Sequence, residues 1–474
     1  MLGKDTSWIK RSLLAFPLGV SAFIVSAYAM LVIGIPYNTM TVSLIWALEA
    51  AIALFLNRKS YAAIDAEKLK HMLIVTAVVA AAGAISVSGL APVSISNDSM
   101  YYFKRYPDCI VYFEGLRDQF DFFLTDTGLG IVSFDTLPAL YGFGETFGIR
   151  EFFHINFLAI FAHAVYDRAK KNDNGGRFHI FTFPAAAAIV VTAVLAISTP
   201  FVILGHWALA NMYFMEMFFI AAYTAKDDGK EGLWAQALLM IALSLFRIEG
   251  TIFVVWLVLT VSLYTDKGKE LVKRALIPMI VLFGGYCLKI FTQFYIFDNI
   301  YLFMTPAKSC ALIGAMAASG LYIIFAEPLL KRKVRRWLPL FYILALLAGN
   351  AALLVSDSAH YIGNLSAFRA NLFRQSGWGL LPYFAISSAV IIVAEFVIRR
   401  IRTDERITVS DTFSITLTVG FILMVLAASF GRGDVLAEDL GDSGNRVMLQ
   451  VVPLVIMMFA ELFFDLLENN KEQG

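Results

Sequence analysis

The chain has 474 residues, of which 59% are hydrophobic and 16% are charged, and its formal net charge is +1. Such a composition excludes an ordinary soluble domain, because apolar runs of about twenty residues recur along the whole length, as in polytopic α-helical membrane proteins. The small net charge argues neither for nor against a nucleic-acid partner, and we expect none. Three scattered cysteines are too few for a disulfide framework or a metal site.

The apolar runs predict about fourteen transmembrane helices, although several are shorter than the roughly 20 residues of a perpendicular span. The first run continues too far for a cleavable signal sequence, so we interpret it as a helix of the mature protein. In chain order the predicted spans are Leu13–Ile35, Met40–Leu56, Met72–Pro92, Phe152–Tyr166, His179–Ile197, Trp207–Thr224, Leu233–Phe246, Thr251–Tyr264, Ala275–Phe297, Ser309–Phe325, Trp337–Val355, Leu380–Ile398, Thr412–Ser429 and Val447–Phe464.

The distribution of Lys and Arg predicts the orientation. If the N-terminus is cytoplasmic and the spans alternate, every inner connection is basic and most of the 38 Lys and Arg residues lie inside, as the positive-inside rule requires. Both termini are then cytoplasmic, and we expect a plasma-membrane protein. The inner loops are short and carry no phosphate-binding glycine motif, so we expect neither an ATP-driven pump nor a soluble nucleotide-sugar domain.

We interpret residues 1–474 as a single transmembrane domain. Residues 1–71 supply two N-terminal helices and a cytoplasmic loop, residues 94–151 form a long extracytoplasmic loop, and residues 152–474 form the remaining bundle. The elaborate outer loops and minimal inner loops predict that the protein works at its outer face.

Two stretches of the long loop have helical character. Tyr106–Phe123 alternates apolar and charged residues in a way that suits a helix lying along the membrane interface. Gly128–Phe143 is mostly apolar but contains Asp135 and Pro138, and we predict an interfacial or re-entrant element. The alternative for both stretches is a capping element without a catalytic part.

Asp98 lies a few residues beyond the outer end of the third span. A carboxylate held at the membrane surface could act as a general base on an acceptor hydroxyl, or it could cap the helix that follows. Tyr101 and Tyr102 could stack on sugar faces, although an interfacial aromatic belt would look the same. Asn97-Asp98-Ser99 and Asn364-Leu365-Ser366 fit the N-glycosylation pattern, which is common by chance.

Charged residues also interrupt the spans. Arg247-Ile248-Glu249-Gly250 breaks an apolar stretch near its outer turning point; either Arg247 faces a phosphate across an irregular, cavity-lining turn, or it pairs with Glu249. Glu216 and Lys289 lie inside two other spans; either they neutralise each other inside the bundle, or as unpaired groups they imply a polar cavity, and their spacing does not decide between the two.

Four more cations lie on the predicted outer side, several of them near a helix end: Lys308, Arg369, Arg374 and Arg446. Arginine forks match phosphate oxygens, so a converging set suits a lipid phosphate or pyrophosphate headgroup. The alternative for each residue alone is snorkelling to the interface.

Taken together, these motifs resemble the integral-membrane glycosyltransferases of the GT-C type. The resemblance rests on the order of Asn97-Asp98-Ser99-Met100-Tyr101-Tyr102 after an outward-going helix, the loop segment Gly128–Asn156, Ser198-Thr199-Pro200-Phe201, Arg247-Ile248-Glu249-Gly250, and Asn445-Arg446 before the last span with Pro453. In this chain the acidic loop follows the third span rather than the first, so either two helices precede the family core or Asp98 is not the acidic residue of the family motif.

The resemblance implies a polyprenyl-phosphate-linked sugar donor and a glycan, lipid or protein acceptor at the extracytoplasmic face, in contact with membrane lipids. It implies that Asp98 activates the acceptor hydroxyl. The implied phosphate-binding residues are Arg247, Arg446, Lys308, Arg369 and Arg374. The implied sugar or acceptor contacts are Tyr101, Tyr102, Glu249 and His206. Many members carry a second acid before the sixth span, where this chain has His206 and Asn211, so the sequence does not support a divalent metal, although it does not exclude one, and it predicts no other cofactor.

Two other functions remain open at this point. A polysaccharide polymerase or ligase that uses lipid-pyrophosphate glycans would need the same arginines. A transporter or flippase of lipid-linked oligosaccharides would show inverted repeats and matching discontinuous helices. The sequence shows no convincing internal repeat.

Overall fold

In the computed structural model, part of the chain can be described residue by residue. The described ranges are 7–61, 66–89, 104–116, 128–142, 149–170, 177–178, 181–198, 201–202, 210–225, 232–247, 250–292, 305–330, 337–374, 378–383, 385–387, 390, 394, 412–431, 435–438 and 443–472.

The protein is an all-α membrane protein, which confirms the predicted class. Helices long and apolar enough to cross a membrane are Trp8–Ile33, Gly268–Ile290, Pro306–Ala326, Leu338–Ser356, Phe413–Phe430 and Arg446–Phe464. Shorter apolar helices are Thr39–Phe55, Leu69–Ala82, Leu129–Tyr141, Phe183–Ala196, Leu233–Phe246 and Gly250–Tyr264. Within the described ranges, six helices are therefore long and apolar enough to cross a membrane, and the total of about fourteen stays a prediction.

The described helices are α1 (Trp8–Ile33), α2 (Thr39–Tyr61), α3 (Ala66–Gly89), α4 (Tyr106–Tyr112), α5 (Leu129–Tyr141), α6 (Ile149–Lys170), α7 (Phe183–Ala196), α8 (Ala210–Ala225), α9 (Leu233–Phe246), α10 (Gly250–Tyr264), α11 (Gly268–Ile290), α12 (Pro306–Leu330), α13 (Leu338–Ser356), α14 (Ser358–Phe373), α15 (Phe413–Phe430), α16 (Ser443–Leu449) and α17 (Val452–Glu472). A π-helical turn, Val272–Leu276, lies within α11. Arg177–Phe178 (β1) and Phe181–Thr182 (β2) pair as a minimal antiparallel ladder before α7.

The chain folds into two compact units. Unit 1 comprises Met1–Ala159 and Trp207–Glu327, and unit 2 comprises Ile160–His206 and Pro328–Gly474.

In unit 1 the antiparallel pair α8 and α9 forms the centre. Every side chain of α8 except Tyr223 is buried, as expected for a helix that is apolar on all sides. At one end of the pair, Nε2 of Gln236 donates to the carbonyl oxygen of Thr224 at 2.8 Å. At the other end, Nη1 of Arg247 donates to Oδ1 of Asn211 at 2.8 Å. Helix α1 packs on α9.

The C-terminal end of α1 is held by Lys289 of α11. Its Nζ donates to the carbonyl oxygens of Leu31 at 2.8 Å and Val32 at 3.3 Å, which otherwise would have no partner at the end of a helix. Of the two readings of these charges, the one in which Lys289 and Glu216 neutralise each other is wrong, because Glu216 instead contacts His154. A long lysine side chain reaches helix-terminal carbonyls that sequence spacing does not reveal.

The loop after α1 holds the segment that carries α4 and α5. The hydroxyl of Tyr37 donates to Thr136 at 2.7 Å, since the Thr136 hydrogen is used on the Ser133 carbonyl. The Tyr37 backbone N–H donates to the Glu114 carbonyl at 2.8 Å, and Nδ2 of Asn38 donates to the Glu114 carboxylate at 3.1 Å. Burial raises the pKa of the Tyr37 phenol well above its ordinary value, so the group stays neutral.

The predicted interfacial elements are seen only in part. Helix α4 ends at Tyr112, well before Phe123, and residues 117–127 lie outside the described ranges. Helix α5 is buried along most of its length inside unit 1, against α1, α4 and α9. It is more deeply packed than an interfacial helix would be, because Gly128 and Gly130 allow its backbone to touch α9.

In unit 2, α14 forms much of the connection between the predicted spans Trp337–Val355 and Leu380–Ile398, which the charge distribution predicts to be extracytoplasmic. Oδ1 of Asn364 accepts from the Leu436 N–H at 2.8 Å, and Nδ2 of Asn371 donates to the Ala437 carbonyl at 3.0 Å. Asn364 is therefore buried and engaged, which overturns its reading as a glycosylation acceptor. Nδ2 of Asn350 donates to the Leu423 carbonyl at 3.1 Å and ties α13 to α15.

Candidate anion-binding site

The predicted site residues fall into three groups. Asp98, Tyr101, Tyr102, His206 and Glu249 lie outside the described residues. Arg247 and Lys308 belong to unit 1, and Arg369, Arg374 and Arg446 belong to unit 2. Arg247 is therefore the starting point for the candidate site, because its contacts with α5 and α8 in unit 1 are among the described residues.

Arg247 occupies the break between α9 and α10. Helix α9 ends at Phe246, and Arg247 is extended, with φ −142° and ψ 148°. The backbone N–H of Gly250 then donates to the Arg247 carbonyl at 3.0 Å, where α10 begins. A Cβ on Gly250 would lie 2.6 Å from the ring of Phe214, so only glycine lets α10 start this close to α8. The predicted break is confirmed.

Asn211 orients the Arg247 guanidinium. A guanidinium can only donate hydrogen bonds, so the bond from Nη1 fixes Oδ1 of Asn211 toward the arginine. The amide nitrogen of Asn211 is left without a partner among the described residues, although the side chain is only 2% exposed. A buried N–H donor without an acceptor costs about 1–3 kcal/mol. This donor therefore suits a ligand oxygen.

Three helix N-termini surround the same end of α9. Helix α8 begins at Ala210, next to Asn211, and α10 begins at Gly250. Helix α5 begins against the last turn of α9: a Cβ on Gly130 would lie 2.5 Å from the Leu245 carbonyl oxygen, and one on Gly128 would lie 3.0 Å from the Arg247 Cα. Each N-terminus carries a partial positive charge and N–H groups that favour an anion. Arg247 and these three N-termini form a cluster of hydrogen-bond donors, called here the electropositive cluster, in which the C-terminal carbonyls of α9 offset part of the positive charge.

His154 and Glu216 form a second polar contact on α8. Nδ1 of His154 contacts Oε1 of Glu216, which is 1% exposed, whereas the His154 side chain is 28% exposed. Glu216 lies five residues after Asn211, about 7.5 Å along the helix axis. Helices α6 and α8 run in the same direction, because Phe153 contacts Tyr213 and Phe157 contacts Phe219, at ring-centroid distances of 5.8 Å each.

The Tyr213 ring lies between these two polar contacts. Its centroid is 5.8 Å from that of Phe153, the neighbour of His154, and 6.2 Å from that of Phe246, the neighbour of Arg247. The sequence pointed to Asn211 and Glu216 but not to their partners: it did not pair Asn211 with Arg247 or Glu216 with His154. His154 was not identified at all. An ionisable residue early in an apolar run was the available signal.

The other predicted cations differ in environment. Lys308 is exposed in the first turn of α12, Arg369 is exposed on α14, and Arg374 is exposed at the C-terminal end of α14. Arg446 is partly buried on α16, one turn before the buried Gln450. In the described part of the chain, no three His, Cys, Asp or Glu side chains come together as a metal site.

Comparisons of this chain with protein-family models, with curated proteins and with solved structures find no match. The membrane fold and the electropositive cluster around Arg247 are therefore the features from which a function can be inferred.

Proposed function

We propose that the protein is a membrane glycosyltransferase of the GT-C type. It transfers a sugar from a polyprenyl-phosphate donor to a glycan, lipid or protein acceptor at the extracytoplasmic face. The observation that carries the proposal is the Arg247 guanidinium, held by Asn211 beside three helix N-termini within a membrane protein.

A lipid-linked sugar phosphate needs an anion site that a membrane-dissolved chain can reach. A cation within an apolar helical bundle is costly and is typically retained for function. Arg247 and the Asn211 amide can donate to phosphate oxygens, and the helix N-termini add to the positive potential. As the bond between the sugar and the phosphate breaks, negative charge grows on the phosphate, and fixed donors stabilise it without rearranging.

The resemblance supplies the remaining roles in the proposal. Asp98 removes the proton of the acceptor hydroxyl. Tyr101, Tyr102, Glu249 and His206 contact the sugar or acceptor. Arg446, Lys308, Arg369 and Arg374 add contacts to the phosphate or to neighbouring headgroups. About fourteen spans, cytoplasmic termini and a plasma-membrane location complete the proposed architecture.

The test is sugar transfer by purified protein from a panel of polyprenyl-phosphate hexoses and pentoses to candidate acceptors. We expect turnover by the wild type, about 10²–10³-fold lower kcat in Arg247→Gln, and about 10²–10⁴-fold lower kcat in Asp98→Asn. Undiminished turnover of Asp98→Asn would remove Asp98 from the mechanism.

Two other outcomes would replace the proposal. Long products from a lipid-pyrophosphate glycan would identify a polymerase or ligase. Movement of a lipid-linked glycan across sealed vesicles without any product would identify a transporter.

A further inference from the structure

Glu49 is an acidic residue near the middle of a predicted span, and the proposed function gives it no role. It is the only charged residue of Met40–Leu56. It lies ten residues after Thr39, where the apolar helix begins, which is about 15 Å along the axis and about half of a 30 Å hydrocarbon core. An ionisable side chain at that depth is costly, and it is typically retained for a function such as proton transfer.

Glu49 lies on the face of α2 that packs against α1. It follows Val42 by two turns on the same face, and Val42 is only 2% exposed, whereas Ile52 on an adjoining face is 49% exposed. One turn before Glu49, the Trp46 ring packs edge-on against Phe23 of α1, at a ring-centroid distance of 5.0 Å. The carboxyl group is therefore held in the seam between α1 and α2.

Within this seam, the Glu49 carboxyl interacts with the Ser26 side chain of α1. Ser26 has one hydroxyl hydrogen, and its Oγ donates that hydrogen to the Phe23 carbonyl at 3.0 Å. The Ser26 oxygen can then only accept a hydrogen bond from Glu49. Because an ionised carboxylate has no hydrogen to donate, the contact requires Glu49 in its protonated, neutral form.

The surroundings of Glu49 supply no opposite charge. Among the described residues, its polar partner is Ser26 rather than a Lys, Arg or His. Helix α1 has no charged residue after Arg11, and α5 contributes the neutral Tyr141 phenol to α2. The first cation after Glu49 in α2 is Arg58, about 13.5 Å further along the axis. A lone carboxylate in hydrocarbon costs far more than the neutral acid, which agrees with the hydrogen-bond pattern.

The seam is open on one side of Glu49. Gly19 lies on the same face of α1 as Phe23 and Ser26, because the three residues are separated by four and seven positions. Phe23 and Ser26 contact α2, whereas a Cβ on Gly19 would meet no atom of the described residues within 4 Å. Helix α2 therefore does not cover α1 at the level of Gly19, and this gap gives a small apolar molecule access to the carboxyl group.

We propose that Glu49 is a membrane-embedded proton-binding site, held by Ser26 and reached through the gap beside Gly19. The bound proton lies on a carboxyl oxygen, which donates it as a hydrogen bond to the Ser26 Oγ. Release of the proton would leave a carboxylate, which needs water or a cation, so α2 must loosen from α1 as the proton leaves. The site is separate from the anion site at Arg247, and neither proposal depends on the other.

Dicyclohexylcarbodiimide, an apolar reagent for protonated carboxyl groups, tests this proposal. The acid gives its proton to a carbodiimide nitrogen, its oxygen bonds to the central carbon, and rearrangement leaves a stable acylurea on the side chain. We expect peptide mass spectrometry of the full chain in liposomes to find this adduct on Glu49, and we expect its loss in Glu49→Gln. Labelling should fall as the pH is raised, because a carboxylate cannot protonate the reagent.

Glu67 provides the matched control, because it is an exposed carboxyl group in the first turn of α3. A water-soluble carbodiimide should modify Glu67 and leave Glu49 unmodified, and Glu67→Gln should keep the Glu49 adduct. Peptide mapping locates the adduct on the wild-type chain, so the result stands even if Glu49→Gln does not fold. An unmodified Glu49 in the wild type, or equal labelling of Glu49 by both reagents, would overturn the proposal.

Discussion

Among single residues, Asn211 is a described partner of Arg247, and its neutral amide binds the guanidinium without adding a negative charge. Asn211→Asp would place a carboxylate at the same distance, which would form an ion pair with Arg247 and repel a phosphate. We expect the Kd for farnesyl phosphate, measured calorimetrically in detergent, to rise by about tenfold or more, equivalent to about 1.4 kcal/mol.

Asn211→Ala distinguishes the effect of an added negative charge from the effect of losing the hydrogen bond to Arg247. The alanine variant loses the hydrogen bond but adds no negative charge, so its Kd should rise less than that of Asn211→Asp. Equal losses in the two variants would mean that Asn211 acts only by holding the arginine. Stronger phosphate binding by Asn211→Asp would contradict an anion site at Arg247.

The sequence shows which charged residues interrupt apolar stretches, but not which residues they contact. Arg247 stands out because a cation interrupts an apolar stretch, and its place in a helix break follows from the adjacent Gly250. The partners come from other helices: Asn211 lies 36 positions away and His154 lies 62 positions from Glu216. Nothing in local spacing links such residues, which is why the sequence could not decide whether Glu216 and Lys289 pair.

Between elements, the contact of α5 with α9 depends on Gly130. A Cβ there would lie 2.5 Å from the Leu245 carbonyl oxygen and 2.9 Å from the Phe246 nitrogen, and backbone atoms cannot move aside as a side-chain tip can. Gly130→Ala should therefore push the two helices apart, with an overpacking cost of about 1–3 kcal/mol. We expect a lower Tm in detergent and weaker farnesyl phosphate binding.

Gly314→Ala is the matched control in unit 1. Gly314 lies within α12, and a Cβ there would meet nothing within 4 Å, so the change should leave Tm unchanged or raise it, because alanine favours helix. A Gly130→Ala variant as stable as this control would show that α5 does not pack on α9 at this point.

Helix positions follow from composition, whereas helix environments do not. The span Leu233–Phe246 is reproduced by α9 because apolar residues, a charged break and a glycine mark both of its ends. Gly128–Phe143 was predicted to be interfacial or re-entrant, because apolar side chains suit lipid and protein neighbours equally. Only the packing of Leu129, Ile131 and Phe134 shows that α5 is enclosed by protein.

On the scale of the whole molecule, apolar side chains face outward as well as inward. Exposed apolar residues on different helices include Leu44, Phe325 and Val355, and in α13 only Pro339 and Asn350 are buried. Soluble proteins rarely expose such large apolar surfaces to water. Membrane lipids therefore contact these surfaces, which explains why the composition alone was sufficient to identify the class.

Contacts within unit 1 also show which residues lie at each of its two ends. Lys289, near the end of α11, touches the end of α1, and the loop that follows α1 binds Glu114, two residues after Tyr112. Lys273 lies 16 residues before Lys289 in the same helix, about 24 Å away along its axis. Tyr112 and Lys273 therefore lie at opposite ends of unit 1. Charge distribution predicts that the Tyr112 end is extracytoplasmic.

Cysteine labelling in intact cells tests that orientation. Tyr112→Cys and Lys273→Cys are suitable because both side chains are well exposed, 81% and 68% respectively, and each is made in a chain whose Cys109, Cys287 and Cys310 are replaced by serine. A membrane-impermeant maleimide should label the Tyr112→Cys protein in intact cells, but the Lys273→Cys protein only after permeabilisation. The reverse pattern would place the Tyr112 end of unit 1 on the cytoplasmic side and contradict the predicted orientation.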